Sequence, residues 1–198
     1  MRIGPQSTRN PNFLPMQAHL VPDGDAGISA TIGLMKSLMY GPQGVRSYLV
    51  RQKTLEAVRG VQRGMHEIDA IFGWIKDNIE FRGEYSETLQ SPEATLNLGA
   101  GDCDDQAVLE ATMLASLGFQ TRFKTVAMRN SPDELSHVYA EVRDKQTGAW
   151  IPVDTTVQQA YPGWQPDDIA RSEDYGINPG PNDGTLAVLA GIAMALFL

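Results

Sequence analysis

Apolar residues recur at helical spacing in two stretches of the N-terminal third of the chain. The first stretch begins at Gly27 and is stopped by Gly41-Pro42, and its apolar face comprises Ile28, Ile32, Met35 and Met39. The second covers 45–59, with predicted core positions at Tyr48, Leu49, Leu55 and Val58. Residues 1–26 are rich in Pro, Asn, Gln and Gly and show no periodicity. We therefore predict an extended arm at 1–26 and a helical extension at 27–65.

Two clearer helices follow, separated by an irregular segment. Residues 66–80 form an amphipathic pattern whose apolar positions are Ile68, Ile71, Phe72, Ile75 and Ile79. Residues 103–117 form the second, with Leu109, Met113, Leu114 and Leu117 as its apolar stripe. Gly118 follows directly, where a glycine ends many helices. The segment 81–98 contains Pro92 and predicts an irregular connection.

After Gly118 the apolar period changes from 3.6 to 2, which predicts strands. Alternation runs over 119–127 and 137–143, and apolar residues return at 149–153 after a turn at 144–148. Pro166 to Tyr175 is a short predicted helix. Helices followed by an antiparallel hairpin indicate an α+β fold, and we place its domain at 66–180.

The C-terminal segment 181–198 is predicted to be an apolar tail. Its last part, Thr185 to Leu198, is an uncharged apolar run of 14 residues. A membrane-spanning helix needs about 20 such residues, so the run favours a helix buried against the body or a partner subunit. Membrane contact of 185–198 is the alternative. Met1 to Pro15 has no continuous apolar stretch, so no secretory signal peptide is predicted.

Charge is distributed unevenly along the 198 residues, whose formal net charge is −8. Residues 1–64 hold eight Lys or Arg against three Asp or Glu, and residues 65–198 hold eight against 21. The acidic total argues against nucleic-acid binding. The second helix is basic through Arg46, Arg51, Lys53 and Arg59. This face is either solvated or a docking surface for an acidic protein partner.

The single cysteine, Cys103, lies at the start of the 103–117 helix. One cysteine excludes an intrachain disulfide and a cysteine-rich zinc site. We predict Asp102 as the N-cap and Asp105 as the reciprocal member of a capping box, with Asp104 facing solvent or substrate. The helix dipole would favour a Cys103 thiolate, whereas the three aspartates oppose it. The spacing does not match a calcium-binding EF-hand loop.

His137 and Asp154 are candidate partners of this thiol. If the hairpin turn is centred on Lys145–Gln146, His137 lies directly opposite Asp154, and the carboxylate can orient the imidazole. Cys103, His137 and Asp154 would then act as nucleophile, base and orienter. The alternative is a buried cysteine and a histidine with only structural hydrogen bonds.

Several sequence runs resemble the transglutaminase-like superfamily over about residues 66–157. The runs are Gly101–Asp105, Ser136–Val142, Trp150–Thr156, Phe72–Ile79 and Ser91–Leu96. The resemblance implies a papain-like α+β core, in which Cys103 lies at the N-terminus of a helix packed on an antiparallel sheet. It also implies acyl-transfer chemistry on amides by Cys103, His137 and Asp154. Neither a cofactor nor a metal is expected.

The resemblance leaves the reaction open, because the family includes cross-linking enzymes, peptidases, amidases and inactive scaffolds. The chain looks like the short bacterial and bacteriophage-encoded members. This predicts a thiol-dependent hydrolase of amide or isopeptide bonds. If the chain is encoded by a bacteriophage, we expect it in the virion, acting on cell-wall (peptidoglycan) peptides. Otherwise we expect it in the cytoplasm. One alternative is a virion or tail assembly subunit that binds protein partners through 1–64 and the C-terminal tail. Another is a protein cross-linking transglutaminase.

Overall fold

The computed structural model describes residues 24–83 and 88–176. The predicted extended arm and the apolar C-terminal tail lie outside these residues, apart from Gly24 to Ala26 at the start of the first helix. No helix of the described part is long and apolar enough to cross a membrane.

The described residues form five helices and six strands. In order they are α1 (Gly24–Tyr40), α2 (Tyr48–Ala57), α3 (Met65–Asn78), β1 (Glu80–Phe81), α4 (Pro92–Leu98), β2 (Ala100–Gly101), α5 (Cys103–Ser116), β3 (Thr121–Met128), β4 (His137–Arg143), β5 (Trp150–Val153) and β6 (Ile169–Gly176). The helices predicted at 27–40, 66–80 and 103–117 and the three predicted strands are thereby confirmed.

Helix α5 lies at the centre of the molecule. It contacts all four other helices and the strands β3 and β4, and every residue from Asp105 to Ala115 is buried. Leu109, Met113 and Leu114 on α5 are fully buried, as are Met35 and Met39 of α1. The helical extension therefore shares one hydrophobic core with the α5 region. Burial of each such side chain contributes about 1.5–3 kcal/mol.

The main sheet is antiparallel, with strand order β5-β4-β3-β6. Val138, Ala140 and Val142 of β4 belong to the hydrophobic core, as expected for alternate residues on one face. The intervening Glu141 forms ion pairs with Arg122 and Lys124 of β3. A separate short parallel pair joins β1 to β2 just before Cys103. Because β4 and β5 are antiparallel neighbours in the main sheet, the start of β4 and the end of β5 lie at the same end of that sheet.

Two of the four predicted core positions of α2 are wrong, whereas Leu49 and Val58 are half-buried. Tyr48 is 81% exposed and Leu55 is 54% exposed, whereas Val50 and Thr54 are buried. The buried threonine is tolerated because its hydroxyl donates to the Val50 carbonyl at 2.8 Å. Apolar residues on a short helix do not by themselves show which face packs on the core.

Two further predictions are corrected by the structure. Residues 92–98 form helix α4, in which Pro92 occupies the first helical position and the Ser91 hydroxyl accepts from the Ala94 N–H. Pro92 therefore starts a helix, where the sequence pattern indicated an irregular connection. Most of the segment predicted as a helix at 166–175 forms strand β6, which pairs with β3. Its alternating half-buried and exposed residues fit an edge strand.

Candidate active site

The N-terminus of α5 has the predicted capping box. Asp102 Oδ1 accepts from the backbone N–H groups of Asp104 at 3.2 Å and Asp105 at 3.3 Å. In return, Asp105 Oδ2 accepts from the Asp102 N–H at 3.4 Å. These bonds satisfy backbone donors that the first helical turn leaves unpaired. Cys103 is consequently fixed as the first residue of α5.

Asp105 also anchors the segment that precedes α4. Its two oxygens accept from the backbone N–H of Gln90 at 2.7 Å and from the Gln90 side-chain amide at 2.5 Å. Burial raises the pKa of Asp105 to about 7, against the opposing effect of the Gln90 hydrogen bond. A side chain at Gly101 would bring its Cβ within 2.6 Å of the Asp105 Cβ. Glycine at 101 therefore makes room for the buried carboxyl.

The Cys103 thiol donates to Asp104 Oδ1 at 3.2 Å. Asp104 therefore contacts the sulfur, which corrects the prediction that it faces only solvent or substrate. Burial raises the pKa of the Cys103 thiol, and the charges of Asp104 and Asp102 raise it further. A backbone hydrogen bond from Val138 acts in the opposite direction. At rest the sulfur is a protonated thiol.

His137 and Asp154 form the hydrogen-bonded pair that the sequence predicted. His137 Nε2 lies 2.7 Å from Asp154 Oδ2, and the Asp154 side chain is only 1% exposed. Burial alone would raise the pKa of Asp154, but hydrogen bonds from His137 and Thr156 outweigh it and hold the pKa below its usual value. The paired carboxylate is therefore ionised at neutral pH.

The strand register that led to this pair is different from the one predicted. Ala140 pairs with Val153 and Arg143 with Trp150, so the hairpin is centred one position beyond the predicted centre, and the residue opposite Asp154 changes by two positions. Continued by one residue, this register places Asp154 opposite Tyr139. Because side chains alternate with a period of two, Tyr139 and His137 share a face. The shift by two therefore keeps Asp154 within reach of the imidazole.

Cys103 lies beside this pair without being hydrogen-bonded to it. The Val138 backbone that interacts with the sulfur belongs to the residue directly after His137. Within the described residues, the hydrogen bond that Cys103 Sγ makes to a side chain goes to Asp104, and none joins it to His137. The structure thus connects His137 and Asp154 directly and places Cys103 against the backbone of the residue that follows His137.

The sequence model of the transglutaminase-like superfamily matches residues 51–155. The chain belongs to the transglutaminase-like superfamily. This match begins inside α2 and ends one residue after Asp154, so it includes all the candidate residues. The α+β fold predicted from the sequence is confirmed.

The chain is similar to several solved structures. A candidate cysteine protease from Cytophaga hutchinsonii is 20% identical with a TM-score of 0.50, covering 71% of this chain and 47% of that one. The present chain therefore spans about half the length of that relative. LapG of Legionella pneumophila is 12% identical with a TM-score of 0.46, covering 81% of this chain and 97% of that one. No curated protein matches the chain in sequence.

A buried carboxyl that the sequence did not indicate lies two turns along α5 from Cys103. Glu110 is 1% exposed, and neither of its oxygens has a hydrogen-bond partner within the described residues. Burial raises its pKa well above the usual value, and the negative charge of Asp154 raises it further. The burial of Glu110 therefore favours its neutral, protonated form. The only sequence signal for Glu110 is that it is the single charged residue between Ala107 and Leu117.

The described residues include one set that could hold a metal ion. Ligand atoms of Asp102, Cys103 and Asp104 lie within 4.8 Å of one another. The hydrogen bonds of these residues already account for the cluster, since Asp102 caps α5 and Asp104 accepts from the thiol.

Replacing Asp104 with Asn is expected to lower the pKa of the Cys103 thiol. The substitution removes a negative charge and the anionic acceptor of the S–H group, while burial of the sulfur remains. Each unit by which the pKa falls raises the thiolate fraction, and hence the alkylation rate at pH 7, about tenfold. Iodoacetamide alkylation followed against pH measures the change. Asp133→Asn, on an exposed loop, is the control, and an unchanged rate in Asp104→Asn would contradict the prediction.

Proposed function

We propose that this transglutaminase-like chain is a thiol-dependent hydrolase of amide bonds, in which Cys103 is the nucleophile, His137 the base and Asp154 the orienting residue. The observation that carries the proposal is the 2.7 Å bond between His137 Nε2 and Asp154 Oδ2 beside the start of the Cys103 helix. It leaves the other imidazole nitrogen, Nδ1, available for the thiol proton. The similarity to the candidate cysteine protease from Cytophaga hutchinsonii is consistent with this chemistry.

The raised pKa of Cys103 favours a particular order of events. A thiol that is protonated at rest has to lose its proton during the attack, as a serine hydroxyl does. The Cys103 sulfur attacks the carbonyl carbon while its proton passes to His137 Nδ1. Asp154, ionised and hydrogen-bonded to Nε2, stabilises the imidazolium that results. The carbon–nitrogen bond then breaks, and the proton of His137 leaves with the amine.

Release of the acyl group repeats these steps with a second acceptor. Water gives up a proton to His137 and attacks the thioester carbonyl carbon. The carbon–sulfur bond breaks, and the sulfur recovers a proton from His137. If a primary amine takes the place of water, the product is an amide, which is the cross-linking alternative. The same three residues serve both outcomes.

Acylation by an activated ester tests this proposal directly. p-Nitrophenyl acetate should release p-nitrophenol and leave an acetyl group on Cys103, detected by intact mass and absent from Cys103→Ala. His137→Ala should slow acylation by about a hundredfold or more, since general base catalysis contributes factors of this order. His66→Ala, an exposed histidine on α3, is the matched control.

Equal rates of acylation in the wild-type protein and in His137→Ala would contradict the proposal. A chase of the acetyl-enzyme with water or with a primary amine separates hydrolysis from transfer.

The virion location, the cell-wall substrate and the assembly role stay predictions. For a protein partner, Tyr48 and Leu55 of α2 offer exposed apolar side chains seven residues apart on one face of the helix.

A further inference from the structure

Gln106 is an unusual residue for its position on α5. It lies three residues after Cys103, on the same face of the helix, and is 1% exposed. A buried amide is unfavourable unless its donors and acceptor are satisfied. Gln106 Oε1 accepts from the Thr155 hydroxyl at 2.9 Å, and its Nε2 donates to the Gly101 carbonyl at 3.2 Å. Both ends of the amide are therefore used.

The two contacts of Gln106 join the two halves of the candidate site, which are the start of the Cys103 helix and the segment that carries Asp154. Gly101 directly precedes Asp102, which caps the helix of the nucleophile. Thr155 directly follows Asp154, which is bonded to His137. The bond from Thr155 to Gln106 spans 49 residues of sequence and is buried. One side chain thus connects the segment of Asp154 to the start of α5.

Asp154 needs such an anchor because it lies just beyond the sheet. The paired residues of β4 and β5 end at Ala140 and Val153. Thr156 orients the Asp154 carboxylate locally, through its backbone N–H at 3.1 Å and its hydroxyl at 2.6 Å to Oδ1. These two bonds fix the rotation of the carboxylate but do not tie its segment to α5. The Thr155 hydroxyl makes that connection.

We infer that Gln106 and Thr155 are positioning residues that set the His137–Asp154 pair against the Cys103 sulfur. The inference rests on the proposed function and adds to it the residues that hold the two halves of the site in register. Loss of the Thr155 hydroxyl lets the Asp154 segment shift relative to α5 while Cys103, His137 and Asp154 are unchanged. A displacement of about 1 Å at a catalytic group lowers rates by about a hundredfold.

The test compares Thr155→Val with Thr155→Ser, which keeps the hydroxyl, and with Thr112→Val. Thr112, on α5, is a matched control because it is buried as Thr155 is, and its hydroxyl donates to the Val108 carbonyl at 2.6 Å. The rate of Cys103 acylation by p-nitrophenyl acetate is measured from pH 5 to 9, with the melting temperature of each variant. We expect a loss of about tenfold to a hundredfold in Thr155→Val. Thr155→Ser and Thr112→Val should keep the wild-type rate and pH profile.

A Thr155→Val rate and profile equal to those of Thr112→Val would overturn the inference. Equal melting temperatures with unequal acylation rates would exclude a purely structural role. If Thr155→Val does not fold, Thr155→Ala replaces it and is judged by the same comparison. Failure of the proposed function gives a different result, since wild type and His137→Ala are then acylated equally, and the inference falls with it.

Discussion

Replacing Asp154 with Asn is expected to slow acylation of Cys103 by about a thousandfold or more. Oδ1 of Asp154 accepts from the N–H and hydroxyl of Thr156, and Oδ2 faces His137 Nε2. In the variant, the two Thr156 donors would keep the amide oxygen at the Oδ1 position. The amide NH₂ would then face Nε2 and convert it to an acceptor. The ring proton is moved to Nδ1, which can no longer accept the thiol proton.

Asp144→Asn is the matched control for this variant. Asp144, in the turn between β4 and β5, accepts from the Thr147 hydroxyl and N–H, as Asp154 does from Thr156. A similar loss of stability with no loss of acylation rate is expected in Asp144→Asn. Stopped-flow release of p-nitrophenol measures both variants. If Asp154→Asn retains more than about a tenth of the wild-type rate, Asp154 does not set the tautomer of His137.

Replacing Glu110 with Gln is expected to flatten the pH dependence of stability. Glu110 is protonated when folded and has its ordinary pKa when unfolded, so folding takes up a proton. For a carboxyl whose pKa is raised by folding, the free energy of unfolding decreases as pH rises above the unfolded-state value. The slope is about 1.4 kcal/mol per pH unit for one proton. Relative to Glu110→Gln, the wild-type protein should therefore lose stability as the pH rises from 5 to 7.

Urea unfolding of both proteins at pH 5, 6 and 7 measures this difference. Glu134→Gln, an exposed carboxyl in the loop before β4, is the control and should follow the wild-type curve. Asp105, whose pKa is also raised, contributes its own slope equally to all three proteins and cancels in the comparison. Parallel curves for the wild-type protein and Glu110→Gln would show that Glu110 is ionised in the folded state.

Local rules predicted the parts of the site that depend on neighbouring residues. The Asp102–Asp105 capping box and the position of Cys103 follow from the preferences of a helix start. The His137–Asp154 pair was found despite a wrong register, because an error of two residues preserves the faces of a strand. Alternation determines the face of each residue, whereas the length of the turn determines which residue lies opposite.

Features that depend on packing between distant segments could not be predicted from the pattern. The Thr155–Gln106 bond joins residues 49 apart, and nothing near either residue indicates the other. The exposed Tyr48 and Leu55 show the same problem, since the face that α2 buries is set by the helices around it. Strand β6 lacks an apolar alternation of its own, and its pairing with β3 decides its structure.

The contact between Cys103 and Asp104 has a consequence for how long the protein survives under oxidising conditions. Peroxide converts cysteine to sulfenic acid by reacting with the thiolate, and higher oxidation states cannot easily be reversed. The carboxylate that accepts the Cys103 S–H group and the burial of the sulfur keep the thiolate scarce. The contact with Asp104 and the burial of the sulfur therefore protect the only sulfhydryl group of the chain against irreversible oxidation by peroxide.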